Sequence, residues 1–207
     1  MNFGDRRETM ETHKDYMGAK LGMWLFLLSE ILLFGGLFIL YSSYRYKFAA
    51  DFHLAAGELN RIIGTVNTLV LLTSSLTMVL SVSSMQKGNR KLSALFLIAT
   101  IIFGFLFLSL KYVEWATKVE HHLYPNSPRL LERKSGEVLF YGLYYAMTGL
   151  HGLHVLAGIL LLVMMLFFIK NERIHRADFV LLENSGLYWH LVDIIWIFLF
   201  PLFYLIT

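Results

Sequence analysis

The sequence predicts an all-α, polytopic membrane protein with five transmembrane helices in one bundle. Three observations carry that. Of 207 residues, 57% are hydrophobic and 16% charged, whereas a soluble domain is about half apolar and about 25% charged. Mean hydropathy is +0.57. Five runs are close to, or longer than, the ~20 mostly apolar residues that a bilayer-crossing helix needs. The short alternating segments that a membrane barrel would require are absent.

The elements follow in order. Residues 1–20, MNFGDRRETMETHKDYMGAK, are polar and mixed in charge. They lack an apolar stretch followed by a small-residue cleavage site, so no cleavable signal peptide is expected and the first helix serves as the uncleaved signal. The predicted spans are about 21–44, 62–85, 92–110, 138–169 and 187–206, which makes 21–207 the membrane domain. The fourth is long enough to tilt or to extend past the bilayer. Only the connection from Lys111 to Glu137 is long, and Pro125 and Pro128 mark it as surface loop.

Five spans put the termini on opposite sides. The N-terminal tail, second loop and fourth loop hold ten lysines and arginines, against eight in the first and third loops. The ten are also denser, because their loops are short. The N-terminus is therefore expected in the cytoplasm and the C-terminus outside. With no cysteine, disulfides, thiolate metal sites, iron–sulfur clusters and covalent haem attachment are excluded. A net charge of +3 spread over loops does not point to nucleic acid.

The informative residues are the polar ones inside apolar runs. Glu30, in FLLSEILLF, lies nine residues after Leu21, or ~13 Å into a ~30 Å core. An ionised carboxylate there costs a few kcal/mol or more. Glu30 is therefore protonated, paired, or turned away from lipid. It reads as a proton-exchanging or a structural carboxyl. Asn67, Thr68, Thr73, Ser74 and Ser75 in the second span read as interhelical packing groups. In the fourth span, Gly142, Ala146 and Gly149 form a small-residue face for close helix approach, and His151 and His154 lie roughly opposite. These histidines read either as interhelical hydrogen-bonding groups or, paired with His190, as haem ligands. In the last span Glu183, His190 and Asp193 fall on one helical face, and His190 and Asp193 are spaced to pair. No nucleotide loop, nucleophile elbow or HExxH motif appears, so no catalytic or metal residue is assigned.

Five stretches in order, GMWLFLLSEILLFGGLF, VNTLVLLTSSLTM, LKYVEW, TGLHGLHVLAG and YWHLVDIIWIFLFPLFY, resemble subunit III of the haem–copper oxidases, in a short bacterial form. The resemblance implies a noncatalytic subunit of a respiratory terminal oxidase in the bacterial cytoplasmic membrane. The complex would reduce oxygen to water and pump protons, with haem and copper in partner subunits and none bound by this chain. Subunit I would be the main contact, with subunit II, small subunits and membrane lipids as further partners. This subunit would stabilise subunit I, support proton uptake and hold structural phospholipid. Glu30 would correspond to the family's buried carboxylate that reacts with hydrophobic carbodiimides. Asn67 reads as packing. By resemblance Glu114, His151, His154, Glu183, His190 and Asp193 take structural or lipid-cleft roles. The mitochondrial type has two more helices before MWLFLLSE, so a cleft of its shape would need another subunit as a wall. The chain carries no donor site to separate cytochrome c from quinol. The rival readings are a b-type membrane cytochrome built on His151 or His154 with His190, and a proton-coupled transporter using Glu30 and Asp193. Nothing resembling the inverted repeat of many transporters supports the last.

Overall fold

A computed structural model describes residues 16–176 and 178–205. Most of the tail expected over 1–20 lies outside the described residues, and helix α1 already begins at Tyr16. The elements are α1 Tyr16–Lys47, α2 Ala49–Gly57, α3 Arg61–Gln86, α4 Arg90–Glu120, α5 Pro128–Leu131, α6 Ser135–Lys170 and α7 Val180–Phe200, with a π-type turn at Pro201–Leu205. Five are long and apolar enough to cross a membrane: α1, α3, α4, α6, and α7 with its π-type extension. The all-α five-span bundle is as the sequence predicts.

Helix α7 also begins earlier than expected, at Val180 rather than about 187, and two further differences have a physical reason. Helix α4 continues past Leu110 to Glu120, because Lys111, Glu114 and Lys118 point inward and are buried. Charges that find partners do not end a helix. The first loop, predicted without structure, contains α2, which buries Phe52, Ala55 and Ala56 and packs on α6.

The termini of the helices explain their registers. Asn60 caps α3 by accepting from the N–H groups of Ile62 and Ile63 at 3.0 and 3.2 Å, and Asn89 caps α4 by accepting from Leu92 N–H at 3.1 Å. Between them Gly88 takes φ +81°, a conformation glycine adopts without strain. It closes α3 and α4 into a tight hairpin. Small hydroxyls then join these two helices. Thr77 and Thr100 hydroxyls lie 2.8 Å apart, and the Ser81 hydroxyl donates to the Ser93 carbonyl at 2.9 Å. Such bonds suit a lipid environment, where helices gain little from apolar burial alone.

Helix α7 is the centre of the bundle, packed on α1, α3 and α6. In its most apolar window 50% of residues are buried, against 11% for α1, so α1 is peripheral. Trp189 fills the centre. A Cβ on Gly104 or Gly158 would come within 2.8 or 2.9 Å of its ring. On α6 the close approaches are therefore at Gly158 and, against Asp51 and Phe48, at Gly136. On the face expected for them, Gly149 meets only the Trp115 ring, Gly142 faces open space and Ala146 is exposed. At the end of the bundle that holds α2 and α5, Tyr41, Phe52, Phe140 and Phe203 pack edge to face with centroids 5.0–5.6 Å apart.

Candidate functional site: buried polar pairs in the membrane span

Glu30 and His154 meet across the seam between α1 and α6. Glu30 Oε2 lies 2.8 Å from His154 Nε2, and both side chains are mostly buried. The other ring nitrogen, Nδ1, is 2.8 Å from the Leu150 carbonyl. A carbonyl only accepts, so Nδ1 carries a proton. Nε2 and Oε2 can then bond only by sharing one further proton. The pair is neutral overall in either arrangement: acid with imidazole, or carboxylate with imidazolium. Phe34 stands edge-on to the imidazole, with centroids 5.4 Å apart, and Tyr188 O–H donates to the His154 carbonyl at 3.0 Å. The question raised by an acid in FLLSEILLF is thus answered by a partner 124 positions away.

A second group sits between α4, α6 and the π-type turn. The Lys111 ammonium donates to Glu114 Oε2 at 3.0 Å, to Tyr144 at 3.1 Å and to Tyr204 at 2.7 Å. Tyr204 O–H is 2.7 and 2.9 Å from the two Glu114 oxygens. The ammonium also lies over the Trp196 ring at 5.1 Å, a cation–π contact. Lysine and glutamate are both buried, and the phenols supply the donors and acceptors that a dry ion pair requires. Pro201 lacks an N–H and interrupts the regular ladder. The turn that follows carries both Phe203 and Tyr204 into the interior. Tyr41 closes this end by donating to the Leu202 carbonyl at 2.7 Å.

The remaining predicted residues separate. His151 is buried between the Phe107 and Trp196 rings, at 5.5 and 5.2 Å, and neither ring nitrogen has a hydrogen-bond partner. His190 does not pair with Asp193: its Nδ1 shares a 2.7 Å bond with Ser75. Asp193 is buried one turn further along, and neither of its carboxylate oxygens has a hydrogen-bond partner. Glu183 belongs to neither. It sits at the surface end of α7 and pairs with Lys20 at 3.1 Å. Asn67 is fully buried with no bond to its amide. Of the second-span hydroxyls, Ser74 accepts from Trp189 Nε1 at 2.7 Å and Thr68 from Trp196 Nε1 at 3.1 Å, whereas Thr73 only bonds back to the Leu69 carbonyl. Among the described residues no three histidine, aspartate or glutamate side chains converge on one point.

Sequence reasoning missed Lys111, Tyr144, Tyr204, and the cluster at the α5 end around Glu58. There Arg133 donates to Glu58 at 2.7 Å and to Glu137 at 2.9 Å, and Tyr141 O–H donates to the other Glu58 oxygen at 2.7 Å. Burial alone would push the Glu58 carboxyl up, but the Tyr141 and Arg133 hydrogen bonds and the charges of Arg133 and Lys118 outweigh it and hold it below its usual value. A depressed carboxyl contributes stability that is present above the unfolded value of about 4.3 and is lost as pH falls through the lower folded value. The expected result is a thermal midpoint that separates wild type from Glu58→Gln by a constant margin above about pH 5, with the margin closing below about pH 4. A margin unchanged down to the lowest pH at which the fold survives would show that the carboxylate charge is not what matters.

Comparison with known proteins fits this arrangement. The family model for cytochrome c oxidase subunit III matches residues 7–207. A cytochrome c oxidase subunit 3 from Alkalihalophilus pseudofirmus is 30% identical over 89% of this chain and 85% of its own length. Another, from Allomyces macrogynus, is 32% identical over 88% of this chain, which spans 64% of that protein's length. A haem–copper oxidase subunit I+III from Aeropyrum pernix is 27% identical over 89% of this chain and 22% of its own length. Matched across nearly its whole length, and built on the five-helix plan, the chain belongs to the cytochrome c oxidase subunit III family of the haem–copper terminal oxidases.

Proposed function

We propose that this chain is the noncatalytic third subunit of a respiratory oxidase, packed on subunit I and stabilising it. In this reading subunit I reduces oxygen to water and pumps protons, and this subunit supports proton uptake from outside the catalytic core. The contact is supported by the Aeropyrum relative, in which subunits I and III are one polypeptide. Haem and copper reside in the partner subunits. Here both nitrogens of His154 are already engaged by Glu30 and Leu150, and His151 is buried against the Phe107 and Trp196 rings, which counts against the b-type cytochrome reading. The orientation proposed is N-terminus cytoplasmic, on the ten basic residues of the tail, second and fourth loops against eight in the opposite loops. Lipid held along α1, and contacts with subunit II and small subunits, complete the reading.

The observation that carries the role of Glu30 is the closed end of its pair. His154 Nδ1 bonds to a backbone carbonyl, which cannot pass a proton on. Glu30–His154 is therefore a clamp that holds the peripheral α1 to α6, rather than a relay. Glu30→Gln retains a donor for Nε2 and removes the exchangeable proton. Turnover and proton pumping of the complex are expected to stay within about twofold, and the chain to remain bound. Glu30→Leu leaves the imidazole nitrogen unpaired at a cost of about 1–3 kcal/mol, and the chain is expected to leave the complex at lower detergent concentration. Loss of pumping in the glutamine variant, with assembly intact, would show a proton role instead. The subunit assignment itself is tested by purifying the complex through a tag on this chain. Haem and copper should arrive with a large partner and depart when this chain is stripped away. Stoichiometric haem retained by this chain alone would overturn it.

A further inference from the structure

Helix α7 is the most buried of the spans, yet one side of it is uncovered. Leu187, His190, Ile194 and Ile197 recur along that side at helical spacing, and Ile194 and Ile197 are 49% and 42% exposed. The side lies between α1 and α3, which both pack on α7 and hardly on one another. The Ser75–His190 bond marks its α3 edge, and the Phe38 and Phe198 rings, 6.1 Å apart, mark its α1 edge. Towards Glu183 the strip deepens into an open groove of about 230 Å³, where Val79 and Val82 of α3 face Gly186 and Leu187.

Two features identify what covers this strip. The first is His190. It lies ~15 Å along α7 from Val180, near the middle of a ~30 Å core. Its side chain is only half-buried and lines the groove. Ser75 uses Nδ1, and Nε2 has no partner among the described residues. Whichever nitrogen carries the proton, Nε2 is left as an open donor or an open acceptor. Hydrocarbon offers it no partner, and a polar group facing lipid at that depth is costly. The second feature is length. The uncovered side runs from Leu187 to Leu205, itself 52% exposed, which is ~27 Å of helix. A lipid chain fills one leaflet, about half of the core, whereas a spanning helix fills all of it. A strip one helix wide, with one open polar atom at mid-depth, matches a helix that brings a polar side chain.

We propose that the side of α7 between α1 and α3 seats one membrane-spanning helix of subunit I, and that a polar side chain of that helix bonds His190 Nε2. Serine, threonine, asparagine and glutamine join helices in this way. The proposal rests on the subunit assignment above and says which face makes the contact. The test uses the whole complex, purified through a tag on this chain. A photoreactive benzophenone side chain replaces either Ile194, on the strip, or Leu160, which is 64% exposed on α6. Light is expected to join the Ile194 probe to the large haem-bearing subunit and to leave the Leu160 probe unjoined to it. His190→Leu is expected to release about three- to tenfold more of this chain at a fixed detergent concentration, the loss of one interhelical hydrogen bond. His190→Gln keeps a donor and an acceptor and should restore part of the binding. Ser75→Ala removes only the bond inside the chain, so it should lower the thermal midpoint without releasing the chain. The proposal is overturned if the Ile194 probe joins only lipid, only a small subunit, or nothing, or if the Leu160 probe joins the large subunit as strongly. It is also overturned if Ser75→Ala releases as much chain as His190→Leu, which would confine His190 to a role within this subunit. If no large haem-bearing chain co-purifies, the subunit assignment falls and the proposal with it; if one does and the Ile194 probe misses it, the proposal alone falls.

Discussion

Lys111→Met is expected to destabilise the chain by about 3–5 kcal/mol, because it strands a buried carboxylate. Glu114 would keep the Tyr204 donor but lose its counter-charge, in a place where water does not reach either group. The matched double replacement, Lys111→Met with Glu114→Gln, removes both charges and should recover most of the loss, since a buried pair exchanged for uncharged groups of similar volume is often neutral. Thermal midpoints of the three variants in detergent decide the matter. A single replacement costing less than about 1 kcal/mol would mean that water or lipid headgroups reach Glu114, and that the group around Lys111 does not pin the π-type turn.

Trp189→Ala should cost a similar amount, about 3–5 kcal/mol, as a large-to-small change at a fully packed site. The ring is wholly buried and packs against Gly104 of α4 and Gly158 of α6. In a bilayer the attraction between helices is largely packing and hydrogen bonding, so the vacated volume has no compensating gain. Trp189→Phe keeps most of the volume but leaves the Ser74 hydroxyl without its indole donor. Its expected cost is smaller, about 1–3 kcal/mol. Equal losses for alanine and phenylalanine would place the whole effect in the hydrogen bond instead of the packing.

The helices were legible because each is a long apolar run, a signal that depends on neighbouring residues alone. Glu30 was legible as an anomaly for the same reason. Its partner was not, since pairing over 124 positions is a property of how α1 lies on α6. The spacing of His190 and Asp193 suggested a pair, yet α3 offers Ser75 to His190 at 2.7 Å, and a neighbouring helix outweighs the next turn of the same one. Lys111 was misplaced in a loop because a lysine after an apolar run ordinarily marks the membrane edge. Only two tyrosines from α6 and the final turn make it an interior residue, and neither looks unusual in sequence. Pro201 was the available clue to that turn. The short α2 was hidden because its small apolar face, Phe52, Ala55 and Ala56, falls far below the length of a span.

The separation between Glu30 and His154 also has a consequence for biogenesis. Helix α1 precedes α6 in the chain, and its tertiary contacts are with α2, α6 and α7. With 124 residues between the two side chains and translation at about 5–20 residues per second, the glutamate waits about 6–25 s for its histidine. During that interval the helix resides in the insertion machinery or the bilayer with an unmatched acid at mid-depth. Helix α1 thus enters well before it can be locked in place, and arrival of α6 is the event that releases it from whatever has been shielding the acid.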